Sequence, residues 1–124
     1  MKRFADQSSN FCPSNTVLDI FSSKWSVLVL CALSSGTLRY SELQKQLEGI
    51  SQKMLTQTLR ELEQNGVVQR KVFPVVPPRT EYSMTELGRG LNEILGQINA
   101  WARHNLEAVL DARSQYAVQQ VSDR

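Results

Sequence analysis

The pattern of apolar and polar positions along the chain reads as helical in five stretches and as extended in three short ones. In "SQKMLTQTLRELEQNG", residues 51–66, Leu55, Leu59 and Leu62 share one stripe of a helical wheel. Lys53, Gln57, Arg60 and Gln64 occupy the opposite side, with Thr56 at its margin. The leucine stripe needs a core to pack against. The amides and cations opposite have no acidic partner among them, which suits a surface that meets something other than water. Upstream, Pro13 fits the first position of a short helix, "PSNTVLDIF". "KWSVLVLCALSSG" reads as a buried helix with Ser23 as N-cap and Gly36 as its stop. "TLRY" is predicted to be extended and brief. Ser41 then opens "SELQ", the capping-box pattern, on a helix ending near Leu47.

A short turn containing glycine, "EGI", leads to Ser51, the predicted N-cap of the next helix, which Asn65-Gly66 stops. Two helices joined in this way make a helix-turn-helix. "VVQRKVF" and "TEYSM" have the valine and aromatic content of strands, and the prolines of "PVVPPR" mark a loop between them. Thr85 is the predicted N-cap of a last helix carrying Leu87, Leu91, Ile94, Leu95, Ile98, Trp101, Ala102 and Leu106 at helical spacing. Gly88, Gly90 and Gly96 weaken that helix by roughly 1 kcal/mol each relative to alanine. The resulting order predicts a mainly α (α+β) fold: a winged helix-turn-helix with additional N- and C-terminal dimerisation helices. A single domain over residues 1–124 is expected, its core at about 11–103 and a helical extension and tail at 104–124.

Length, charge and cysteine content narrow the function. A chain of 124 residues can bury a core without disulfide or metal staples. No apolar run approaches the roughly 20 residues of a membrane span. "MKRFADQSSNF" lacks the apolar stretch of an export signal, and Cys12 and Cys31 are too few for a disulfide framework, so a cytoplasmic setting is expected. The net charge is only +2, but residues 51–80 hold five Lys/Arg against two Asp/Glu, whereas residues 81–124 hold four against six. The basic excess thus coincides with the helix-turn-helix and hairpin, and it hints at a polyanionic partner.

A helix-turn-helix lays its second helix in the DNA major groove, N-terminal turns nearest the bases. The candidate contacts are Ser51, Gln52, Lys53, Thr56, Gln57 and Arg60. Glutamine can bond bidentately to adenine, Arg and Lys reach guanine, and a threonine methyl can touch thymine. Arg79 at the hairpin tip, with Arg70 and Lys71 on its first strand, would supply phosphate or minor-groove contacts. The competing interpretation of each is an ordinary solvated charge.

Together "CPSNTVLDIFSSKWSVLVLCAL", "RYSELQKQLEGISQKMLTQTLRELEQNGVVQRKVF" and "VPPRTEYSMTELGRGL" resemble the HxlR-type transcriptional regulators, relatives of the MarR group. The resemblance covers roughly residues 11–103; the long polar tail after His104 departs from it. It implies a bacterial, dimeric winged-helix protein that binds double-stranded operators with inverted repeats. Several such regulators respond to oxidants or electrophiles through a cysteine ahead of the first helix, the position that Cys12 matches. If Pro13 starts that helix, Cys12 sits at its N-cap, where free N–H groups and the helix dipole stabilise a thiolate. The alternative for Cys12 is an inert capping residue.

Cys31, inside an apolar helix, is expected in the core, and Trp25 and Trp101 are expected to be packing anchors. His104, the single histidine, has no ligand cluster around it, and no phosphate-binding glycine motif occurs. Neither an enzyme nor a bound cofactor is expected. The other class to weigh is a winged-helix protein-protein adaptor, which would expose apolar anchors where this chain carries amides and cations.

Overall fold

The computed structural model describes residues 13–122. Cys12 lies outside them. Helix α1, Pro13–Leu18, continues into a 3₁₀ turn, Asp19–Phe21, and is followed by α2, Lys24–Leu33. Strand β1, Leu38–Arg39, leads into α3, Tyr40–Gln46; α4 spans Gln52–Gln64. Strands β2, Val68–Phe73, and β3, Arg79–Met84, form a hairpin, and α5 runs from Glu86 to Ser122. This is a winged helix-turn-helix with a helix added at each end.

The described residues divide into two compact units, one up to Asn92 and one from Glu93 onward. In the first, α2 packs on α4 and β3, and α3 packs on α2 and the sheet. The core is made by Val29, Leu30 and Leu33 of α2, Leu43 of α3, Leu55, Leu59 and Leu62 of α4, and Val67, Val68, Tyr82 and Met84 of the hairpin. The leucine stripe of α4 is therefore buried as its spacing requires. The antiparallel sheet has the order β1-β3-β2, with Leu38 opposite Tyr82 and Lys71 opposite Glu81. In the second unit, α5 carries exposed apolar residues that include Ile94, Ile98, Leu110 and Val118.

Caps explain most boundaries. Ser23 Oγ accepts the Trp25 N–H at 3.1 Å, and Ser51 Oγ accepts the Met54 N–H at 3.1 Å. Thr85 Oγ1 accepts the Gly88 N–H at 3.0 Å and donates to the Gly66 carbonyl at 2.6 Å. The turn between α3 and α4 relies on Gly49 at φ 89°, a backbone conformation that costs glycine nothing. Leu47 and Ile50 bury that turn from within.

The structure departs from the sequence reading in three places. Helix α3 starts one residue before Ser41: its N-cap is Arg39, whose N–H donates to Glu42 Oε1 at 2.7 Å. Glu42 thus closes the first turn in place of the Ser41 pattern. Cys31 is exposed, not in the core. Helix α2 buries Ser26, Val29, Leu30 and Leu33 on one side and leaves Leu28 and Cys31 on another, a distinction invisible in the run from Val27 to Leu33, where every residue is apolar. Trp101 is 61% exposed among the described residues, not a buried packing anchor. Trp25 is half-buried, with the Lys24 ammonium 5.3 Å from its ring centre.

Candidate nucleic-acid interface

The exposed side of α4 follows from its amphipathic spacing. With Leu55, Leu59 and Leu62 committed to the core, Gln52, Lys53, Gln57 and Arg60 must face outward, and all four are exposed. Together with Thr56 they line one shallow surface depression along the first nine of the thirteen residues of the helix. Five of the six residues expected on this helix are therefore brought to one place. Ser51, the sixth, is also exposed, with its Oγ occupied by the Met54 N–H.

Two of these side chains are less free than the sequence suggested. The Thr56 hydroxyl lies 2.8 Å from Tyr40 Oη, and Tyr40 Oη also donates to the Gln52 carbonyl at 3.0 Å. Thr56 is half-buried, and its hydroxyl is engaged by Tyr40. The Gln57 amide reaches Glu61 Oε2 at 3.5 Å, a long bond that a base edge can replace. Lys53 and Arg60 form no ion pair among the described residues.

The hairpin carries the remaining candidates, and its pleat separates them. Arg79 is the first residue of β3, directly opposite Phe73. Its guanidinium lies 4.6 Å from the Phe73 ring centre, and its Nε lies 3.3 Å from Glu81 Oε2. Lys71, on the same face, places its ammonium 5.1 Å from that ring centre. Arg70 points to the other face, as alternation along a strand demands, and pairs with Glu63 of α4 at 3.6 Å. It serves the hairpin-to-helix contact more than an outward surface. Beside it, burial raises the Tyr82 pKa above its usual value, while the Arg70 charge opposes the rise.

Tyr40 is the residue that sequence reasoning missed. It joins the start of α3 to the first turns of α4, and its ring lies 6.5 Å from that of Tyr82. It also lines a groove between the start of α3 and the hairpin loop, with Arg39 and Arg79 on the walls. A tyrosine between "LR" and "SELQ" has no periodic signature; only the approach of α3 to α4 reveals its role. No group of three His, Cys, Asp or Glu side chains among the described residues could hold a metal. Likewise, no single helix among them is long and apolar enough to cross a membrane.

Comparison with known proteins identifies the architecture. A family model described as HxlR-like helix-turn-helix matches residues 20–110. The chain belongs to the HxlR family. The HTH-type transcriptional regulator YtfH of Escherichia coli K12 is 45% identical over 114 residues, covering 92% of this chain and 87% of its own length. The solved structure of the transcriptional regulator YtfH from Salmonella typhimurium is 43% identical with a TM-score of 0.73, covering 86% of this chain and 95% of that one. The redox regulator HypR in its reduced form is 38% identical with a TM-score of 0.75, covering 79% of this chain and 97% of that one. HypR is also known in its oxidised form. This HxlR-family chain is thus a transcriptional regulator built on a helix-turn-helix, and its relatives are named as regulators, not as enzymes.

Proposed function

We propose that this HxlR-family chain acts in the bacterial cytoplasm as a homodimer that binds an inverted-repeat, double-stranded operator through α4. The observation that carries this reading is the depression lined by Gln52, Lys53, Thr56, Gln57 and Arg60. Its donors and acceptors match the edges of base pairs, and it lies along the N-terminal turns of the helix, those that reach deepest into a major groove. Homodimerisation is supported by the apolar residues of α5, such as Ile94, Ile98 and Trp101, which are exposed in the single chain. A two-fold dimer sets its recognition helices about 34 Å apart, which requires an inverted repeat.

The test uses duplexes from the chain's own promoter region. Gln57→Ala or Arg60→Ala should relax base preference, at roughly 1–3 kcal/mol per lost bidentate contact. Unchanged affinity and preference after substituting the 52–60 face would remove α4 from the groove. A 14.0 kDa species by sedimentation at micromolar concentration would refute the dimer.

Regulation through Cys12 is part of the same proposal. HypR, with which the chain shares its fold, is a redox regulator. A thiolate at a helix N-cap is the reactive form toward oxidants and electrophiles. Oxidant titration of operator binding in wild type and Cys12→Ser separates the cases: selective loss in wild type is expected, and equal behaviour of the two removes the sensor role.

A further inference from the structure

The outward face of the three-stranded sheet gathers more charge than a DNA-contacting wing requires, and in an order that needs explanation. Glu81, in the central strand, lies directly opposite Arg39 on one side and Lys71 on the other. Directly opposed residues of antiparallel strands project from the same face with their Cβ atoms about 5 Å apart. Arg79, two residues along β3, shares that face and is ion-paired to Glu81 at 3.3 Å. A single carboxylate therefore sits amid three cations drawn from three strands.

Orientation alone does not account for Glu81. The Phe73 ring already lies beneath the Arg79 guanidinium at 4.6 Å and the Lys71 ammonium at 5.1 Å. With both cations positioned by the ring, the main effect of the carboxylate is its charge. The cluster is also continuous with the α4 face. Arg39 and Arg79 wall the groove that Tyr40 lines, and the hydroxyl of Tyr40 touches Gln52 and Thr56.

We propose that Arg39, Lys71 and Arg79 form one seat for the DNA backbone, and that Glu81 is a resident anion occupying that seat and holding its affinity down. The inference rests on the reading of the chain as a DNA-binding regulator. It adds Arg39 as a backbone contact and gives Glu81 a restraining role. A phosphate entering the seat meets Glu81 as a like charge, and it gains less from Arg79 because that guanidinium is already neutralised. With part of its charge answered by Glu81, the seat neutralises less phosphate charge and releases fewer cations from the DNA, so the pair mutes the salt dependence of binding as well as its strength.

The experiment measures affinity for operator and for unrelated duplex across a salt series, in wild type, Glu81→Gln, Glu81→Asp and Arg39→Ala, with melting curves confirming that each is folded. Glu81→Gln should tighten binding to both duplexes by about three- to tenfold and steepen the log–log salt slope by about one unit. Glu81→Asp keeps the charge and should keep the wild-type slope. Arg39→Ala should weaken both duplexes alike and flatten the slope by about 0.9. A folded Glu81→Gln that binds with the wild-type slope, or more weakly, overturns the restraining role. A wild-type slope in Arg39→Ala overturns the seat. Wild type that binds neither duplex would instead overturn the DNA-binding reading itself.

Discussion

The three glycines of α5 provide a test in which one chemical change has opposite signs at different positions. A glycine inside a helix costs roughly 0.5–1 kcal/mol relative to alanine, because its unfolded backbone has more freedom to lose. At Gly90 and Gly96 an added Cβ would meet nothing within 4 Å. Gly90→Ala and Gly96→Ala should therefore stabilise by about that amount. Gly88 is different: its added Cβ would overlap the carbonyl oxygen of Val67 and lie 2.9 Å from the carbonyl carbon. Both groups are main chain and cannot rotate away. The Val67 carbonyl is also held in place, since it accepts the Thr85 N–H at 3.1 Å. Relieving such an overlap typically costs about 1–3 kcal/mol and outweighs the helix-propensity gain. Gly88→Ala should thus destabilise by about 1–2 kcal/mol, leaving it about 1.5–3 kcal/mol below Gly96→Ala. Urea unfolding, with a slope of about 1–3 kcal/mol per molar, should separate the two midpoints by about 1 M. Total protein concentration must be equal throughout, because the proposed dimer would add a concentration-dependent part to apparent stability. A Gly88→Ala midpoint equal to that of Gly96→Ala would refute the close approach of α5 to the main chain of Val67, just ahead of β2.

Two further outcomes can be measured. Tyr40→Phe removes a hydroxyl shared by the Gln52 carbonyl and Thr56; it should cost about 1 kcal/mol in urea unfolding and blunt operator preference, while non-specific DNA affinity holds. Because burial raises the Tyr82 pKa, the folded state keeps that proton longer than the unfolded chain. Its contribution is present below about pH 10 and lost as pH climbs through the folded-state value. Stability should fall along that alkaline limb, and less steeply in Tyr82→Phe, as followed by circular dichroism at fixed urea.

Legibility in the sequence tracked the physics behind each feature. Leu55, Leu59 and Leu62 could be placed because an amphipathic helix displays its inside and outside in its spacing, and the same spacing exposed Lys53, Gln57 and Arg60. Ser23, Ser51 and Thr85 were legible because a short hydroxyl side chain is nearly specific to the N-cap. Cys31 was not: in "SVLVLCALS" no polar residue marks the outer side of the helix. Trp101 looked like a core anchor because a single sequence does not say whether an apolar stripe is covered by its own chain. Gly88 looked like a weakness and proved to be a close approach, which depends on Val67, twenty-one positions earlier. Arg39, Arg70 and Tyr40 depend on strand register and helix approach, both set by tertiary pairing.

The strand order β1-β3-β2 leaves one long side of β2 without a partner among the described residues. Unpaired backbone N–H and C=O groups along a six-residue strand are a template on which a second chain can extend the sheet. Here Arg70 and Lys71 stand at the middle of that strand, flanked by Gln69, so a second copy docking in antiparallel register would bring like charges together. The basic residues of the hairpin therefore also guard the protein against polymerising through its own sheet, and replacing both with valine would remove that guard while raising the strand propensity of the edge.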